Sequence, residues 1–141
     1  MILLDTNVVS ELMRSHPAAA VVRWVEAQPT SSLHTCSVTE AEVLHGIELL
    51  PRGKRRDALA EAARAMFSDD FRGRVLPFGR DAARAYARIA AVRRTSGRPI
   101  SSFDAQIAGI ASAAGATLAS RNVGDFEGCG VVLVDPWTAA D

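Results

Sequence analysis

The chain has 141 residues, 48% of them hydrophobic, and its sixteen basic residues balance sixteen acidic ones. That length fits a single domain spanning 1–141, and the apolar content excludes a chain too polar to bury a core. Zero net charge excludes bulk attraction to nucleic acid, so any such site must be local. No apolar run approaches the roughly 18 residues of a membrane-spanning helix, and no basic segment leads into an apolar one at the start. These features predict a cytoplasmic protein with no membrane contact. Cys36 and Cys129 stand far apart and outside any CxxC pattern, as expected of reduced structural thiols.

In chain order, ILLD (2–5) is a short apolar run and reads as a buried strand. TNVVSELMR (6–14) starts a helix. Pro17 suits the first turn of a second helix carrying Val21, Val22, Trp24 and Val25 to about Gln28. SLHTCS (32–37) is a second strand, VTEAEVLHGIELL (38–50) a helix, and PRG (51–53) breaks it. A long helix follows from Lys54 to Phe67, then a short strand at RVLPF (74–78). The 80–97 and 102–115 segments are helices, each closed by a glycine, Gly97 and Gly115. TLAS (117–120) and VVLVD (131–135) are further strands. Short buried strands alternating with helices predict an α/β fold, a parallel sheet of four to five strands flanked by helices. Ligands in such sheets bind beyond the carboxyl ends of the strands.

Several acids fall at or near those ends. Asp5 directly follows ILL, at the rim of a core where an unpaired charge is costly. It suits either the cap of the next helix or a site carboxylate, and Thr6 is available as the cap instead. Asp104 lies in the apolar stripe with Ile107, Ala108 and Ala111. It also completes Ser101-x-x-Asp104, a variant of the capping box. Glu40 and Glu42 point about 160° apart on one helix, and the wheel does not choose between them. Asp125 sits in ASRNVGDFEG (119–128), a turn-rich loop just past a strand.

The chain has no histidine pair, no cysteine ligand set and no glycine-rich phosphate loop. Carboxylates after separate strands suit hard, oxygen-loving cations such as Mg²⁺ or Mn²⁺. Two such ions about 4 Å apart can clamp the attacking and leaving oxygens of a phosphodiester.

Four stretches carry a resemblance: LLDTNVVSEL (3–12), SVTEAEVLHGI (37–47), GRPISSFDAQIAGIA (97–111) and ASRNVGDFEGCGVVLVDPW (119–137). In this order and spacing the chain resembles the PIN-domain nucleases, and within them the toxin subunits of VapBC-type toxin–antitoxin pairs, FitB-like branch. The resemblance implies a parallel sheet between helices and metal-dependent hydrolysis of RNA with Mg²⁺ or Mn²⁺. It places the family's acids on Asp5, Glu42, Asp104 and Asp125, as catalytic residues and metal ligands. Glu42 is chosen over Glu40 by the motif Thr39, Glu42, Val43, Gly46. Thr6, Asn7 and Thr39 would support the site. Ser120 and Asn122 would hydrogen-bond the water or the phosphate. The usual Thr of the family's T-R-N motif is Ser120 here, and the hydroxyl is kept.

Arg80, Arg84 and Arg88 form one stripe on the 80–97 helix, Arg52, Lys54, Arg55 and Arg56 cluster, and Arg93, Arg94 and Arg98 follow later, all of which suits a solvated face or a local phosphate-binding rim. Arg98, nearest Asp104 in sequence, is the expected substrate-side cation. His16, His34 and His45 are scattered and read as structural or surface residues. The resemblance also implies a homodimer and a small antitoxin partner with a DNA-binding domain. Leu59, Ala62, Ala63, Met66 and Phe67 form a stripe that suits docking or core alike.

Competing readings are a non-catalytic binding module of the same fold and a PIN nuclease outside toxin–antitoxin systems. A phosphatase of the haloacid dehalogenase type needs a second Asp where Asn7 stands, and a response-regulator receiver needs a late Lys, whereas the only lysine is Lys54.

Overall fold

A computed structural model describes residues 1–139. The elements run β1 (Ile2–Leu4), α1 (Thr6–Leu12), α2 (Ala19–Glu26), β2 (Leu33–Cys36), α3 (Ser37–Glu48), α4 (Lys54–Arg64), β3 (Val75–Leu76), α5 (Arg80–Thr95), α6 (Ser102–Ala114), β4 (Thr117–Ala119) and β5 (Leu133–Val134). The five strands form one sheet in the order β3-β2-β1-β4-β5, with every adjacent pair parallel. The α/β expectation is met. A parallel sheet buried on both faces needs continuous apolar strands, which is why ILL does not alternate with polar residues.

The side-chain period of two sends neighbours to opposite faces. Leu3 packs with Leu118, Ile89, Ile107 and Ala108 on the side of α5 and α6. Leu4 packs with Val8, Val9, Val21, Trp24 and Phe67 on the side of α1, α2 and α4. Helix α6 closes on Gly115 at φ 63°, as its sequence predicts. After α5, Gly97 at φ 77° makes the turn that returns Arg98 N–H to the Arg93 carbonyl at 2.9 Å and Gly97 N–H to that of Arg94 at 3.1 Å.

Two local expectations need correction. Pro17 precedes α2, whose cap residue is Ala18. Helix α4 does not stop at Phe67 but continues as a π-helical segment, Ala65–Asp70, in which Phe71 N–H reaches the Met66 carbonyl at 2.9 Å. A 3.6-residue reading does not register that wider turn. The stripe on this segment serves mainly as core: Ala63 and Phe67 are buried, and Leu59 and Met66 pack against them. Both cysteines are free and buried, in keeping with structural thiols.

Candidate functional site

Strand β1 is central, and its neighbours lie on opposite sides of it: β2 follows it in sequence, whereas β4 comes from far along the chain. The ladder runs one step past β1, where Asp5 N–H donates to the Ala119 carbonyl at 2.9 Å. Asp5 and Ser120 therefore lie side by side at the carboxyl edge of the sheet, the place ligands favour in such folds.

Asp5 is 5% exposed. Contrary to the option that Thr6 would cap α1, Asp5 itself is the cap residue, and its Oδ1 accepts from Thr6 N–H at 2.8 Å. Its Oδ2 accepts from the Ser120 hydroxyl at 2.7 Å and from Asn7 Nδ2 at 3.3 Å. Burial pushes its carboxyl up to about 6; the Ser120 and Thr6 bonds oppose that rise, and the charges of Asp104 and Glu42 add to it. One residue thus combines a helix cap with an electrostatically strained carboxylate.

Glu42 reaches the same edge from α3, where its Oε1 accepts from the Thr6 hydroxyl at 2.8 Å. The Thr6 and buried Thr39 hydroxyls are 3.2 Å apart. Asn7 bonds the Ser120 hydroxyl at 3.3 Å and accepts from Arg121 N–H at 3.2 Å. Thr6, Asn7 and Thr39 thus form a polar lattice behind the acids. Ser120 is fully buried, and its oxygen also accepts from Asn122 N–H at 3.0 Å. It faces Asp5 rather than solvent, and its hydroxyl braces that carboxylate.

Asp104 stands in the first turn of α6, where Ser101 caps the helix by accepting from Asp104 N–H at 3.2 Å. Half-burial raises its carboxyl and Asp125 raises it further, while the Ser101 bond and the Arg93 charge oppose this. Asp125 is exposed, in a 3₁₀ turn over Val123–Phe126. A cleft of about 200 Å³ is lined by Arg93, Pro99, Ile100, Ser101, Asp104 and Asp125. A second, about 260 Å³ and more apolar, touches Thr6, Glu42, Val43 and Leu59. Glu40, also half-buried, makes no such link to Thr6.

The donors are all carboxylate oxygens, the chemistry that suits Mg²⁺ or Mn²⁺, and burial strains Asp5 in the direction a cation would relieve. Among the described residues, no three His, Cys, Asp or Glu side chains converge tightly enough to hold an ion by themselves. The set therefore fits Mg²⁺ in its donors and calls for water to complete the shell, which Mg²⁺ habitually retains.

Arg98 is exposed, and its Nη2 lies 3.4 Å from both the Gly124 carbonyl and Glu127 Oε2. The cation lining the acidic cleft is Arg93, which the sequence reading grouped with surface arginines instead of placing it in the site. Its signal was present: Ala82, Ala85, Ile89 and Arg93 share the buried face of α5. Buried Glu11 was missed. It accepts from Ala18 N–H at 2.9 Å, a bond that, with Arg14, holds its carboxyl below the usual range.

The sequence matches the PIN domain family over residues 2–127, a span that includes all four acids. The chain belongs to the PIN-domain family. It is 40% identical over 140 residues to a VapC ribonuclease of Sinorhizobium fredii, covering 99% of this chain and 100% of that one. It is 36% identical over 137 residues to Toxin FitB of Neisseria gonorrhoeae, covering 97% and 99%. The structure of FitAB bound to a DNA fragment superposes with a TM-score of 0.91 at 35% identity, covering 100% of this chain and 99% of that one. This PIN domain thus shares nearly its whole length with these relatives.

Proposed function

We propose that this PIN-domain protein is a metal-dependent endoribonuclease and the toxin subunit of a type II toxin–antitoxin pair. The observation that carries the reading is the hydrogen-bonded lattice at the edge of the β1–β4 pair, in which Ser120 and Asn7 hold Asp5 and Thr6 holds Glu42. Kinship with a VapC ribonuclease and with Toxin FitB supports it.

Asp5 and Asp104 would be the principal ligands of Mg²⁺ or Mn²⁺, with Glu42 and Asp125 completing the set directly or through water. When bound, the cation lowers the pKa of a water and offsets charge building on the phosphate. Thr6 and Ser120 keep Glu42 and Asp5 as oriented oxygen acceptors, and Asn7 ties the two strand ends together. Arg98 and Asn122, both exposed, are the residues for the RNA backbone. No nucleophilic side chain is required.

The partner in this reading is a small antitoxin with a DNA-binding domain, in line with the DNA-bound FitAB complex. The protein acts as a homodimer in the cytoplasm. Among the described residues, no helix is long and apolar enough to cross a membrane.

One observation favours a second reading, a non-catalytic module of the same fold: the acids do not converge into a ready-made ion site. One experiment separates the two. Purified protein is given total RNA with Mg²⁺ or Mn²⁺, beside EDTA and the Asp5→Asn variant. Cleavage that needs both metal and Asp5 establishes the nuclease. Folded protein that neither cuts RNA nor binds Mn²⁺ by calorimetry leaves the binding module.

A further inference from the structure

Arg93 is 6% exposed, an unusual place for a guanidinium. Burying that charge is costly unless its donors are met. Its Nε donates to the Arg98 carbonyl at 2.7 Å. Its Nη1 donates to the carbonyls of Asp125 at 2.7 Å and Glu127 at 3.1 Å, and lies 3.6 Å from Cys129 Sγ. None of these four acceptors is a carboxylate.

The acceptors lie on two different segments. Arg98 begins the short connection through Pro99 and Ile100 to Ser101, the cap of the helix that carries Asp104. The turn at Gly97 aims the Arg98 carbonyl back at Arg93. The other acceptors belong to the 125–129 stretch, which folds closely over the arginine: a Cβ on Gly128 would lie 3.8 Å from Arg93 Cδ. Only a planar fork with several donors can hold both segments at once; an ammonium offers a point charge on a flexible stem.

We propose that Arg93 is a positioning residue of the site: its guanidinium clamps the lead-in to Asp104 to the segment bearing Asp125, and its charge lets these two acids share one cleft. The proposal rests on the nuclease reading for its consequence and on the geometry above for the clamp itself. Arg93 lines the same cleft as Asp104 and Asp125, which is where its charge acts.

The test compares wild type with Arg93→Lys and Arg93→Ala, the latter with and without ethylguanidinium. Three readouts are taken: hydrogen exchange, Mn²⁺ affinity by calorimetry, and RNA cleavage. In both variants the amides of 125–129 exchange about tenfold faster or more while those of β1 and β4 keep their protection. Mn²⁺ affinity and kcat fall by roughly 10–100-fold with KM for RNA held, the usual size for a residue supporting metal ligands. Ethylguanidinium restores part of the loss to Arg93→Ala, and the lysine does not. Folded variants with unchanged 125–129 exchange and unchanged Mn²⁺ affinity overturn the proposal. If neither variant folds, the wild-type Arg93 Nε–H decides by NMR. A slowly exchanging signal that Mn²⁺ broadens before those of Arg84 and Arg98 supports the clamp, and one exchanging as fast as theirs overturns it. Wild type that binds no Mn²⁺ and cuts no RNA removes the nuclease reading, and the exchange data still decide the clamp.

Discussion

The Thr6 hydroxyl donates to Glu42 Oε1 at 2.8 Å across 36 residues of sequence, joining the first turn of α1 to the middle of α3. This bond fixes a glutamate whose long side chain has otherwise many rotamers. Thr6→Val keeps the shape and removes the hydroxyl. It is expected to cost about 1 kcal/mol of stability and to slow RNA cleavage, whereas Thr6→Ser restores both. Urea melts and cleavage rates check this; equal rates for Val and Ser would detach Glu42 from the site.

Asp5 gives a pH dependence whose sign is fixed. Its folded value, about 6, lies above the 3.8 of an ordinary Asp, so the native state binds the proton more tightly than the unfolded one. The Asp5 contribution is therefore most favourable below about pH 4, falls as pH rises towards 6, and is flat above. Asp5→Asn removes that penalty and is expected to stabilise the metal-free protein at pH 7, by at most about 3 kcal/mol at roughly 1.4 kcal/mol per unit. The gain vanishes near pH 4. Denaturant melts of both proteins in EDTA from pH 4 to 8 isolate this from other carboxylates. A constant difference across that range would contradict it.

The same strain predicts how stability answers to divalent ions. Mn²⁺ at about a hundred times its Kd is expected to stabilise wild type by about 2.7 kcal/mol. Asp5→Asn and Asp104→Asn lose most of that shift. Thermal melts with Mn²⁺, and with EDTA as the blank, measure it. A wild-type midpoint indifferent to Mn²⁺ counts against a cation at these acids.

Gly109 lies in the middle of α6, where glycine ordinarily costs about 1 kcal/mol relative to alanine. Here a Cβ would stand 2.7 Å from the Ala82 carbonyl oxygen and 3.0 Å from Tyr86 N, both backbone atoms of α5. Gly109→Ala is therefore expected to destabilise, by roughly 1–3 kcal/mol. A urea midpoint that rises instead would show that α5 can move aside. The same change acts on the site indirectly, because α5 carries Arg93 and α6 carries Asp104.

The parallel sheet was legible because short apolar or β-branched runs such as ILL and TLA alternate with helices and have turn residues behind them, and Asp104 because its spacing from Ser101 marks a helix start. Other features were not. The wheel alone left Glu40 and Glu42 open, since α3 is apolar on most sides. Ser120 was read as a hydroxyl for water or phosphate, and its bond to Asp5 was not legible because nothing in its neighbours tells that β1, more than a hundred residues away, would lie beside it. Arg93 was hidden among the surface arginines of α5, which share its residue type but not its face. Long-range pairing decides each of these, and local pattern carries no record of it.

The order of synthesis has a bearing on when this protein becomes able to act. Asp5 and Glu42 leave the ribosome early, but the strand that braces Asp5 through Ser120 sits at 117–119, and Asp125 comes later still. A nascent chain through α5 has half of its acids and no wall for them to lean on. The centre is assembled only when the last part of the chain inserts beside β1. A chain that stops after α5 is therefore expected to lack the assembled site, and on the nuclease reading to cut no RNA.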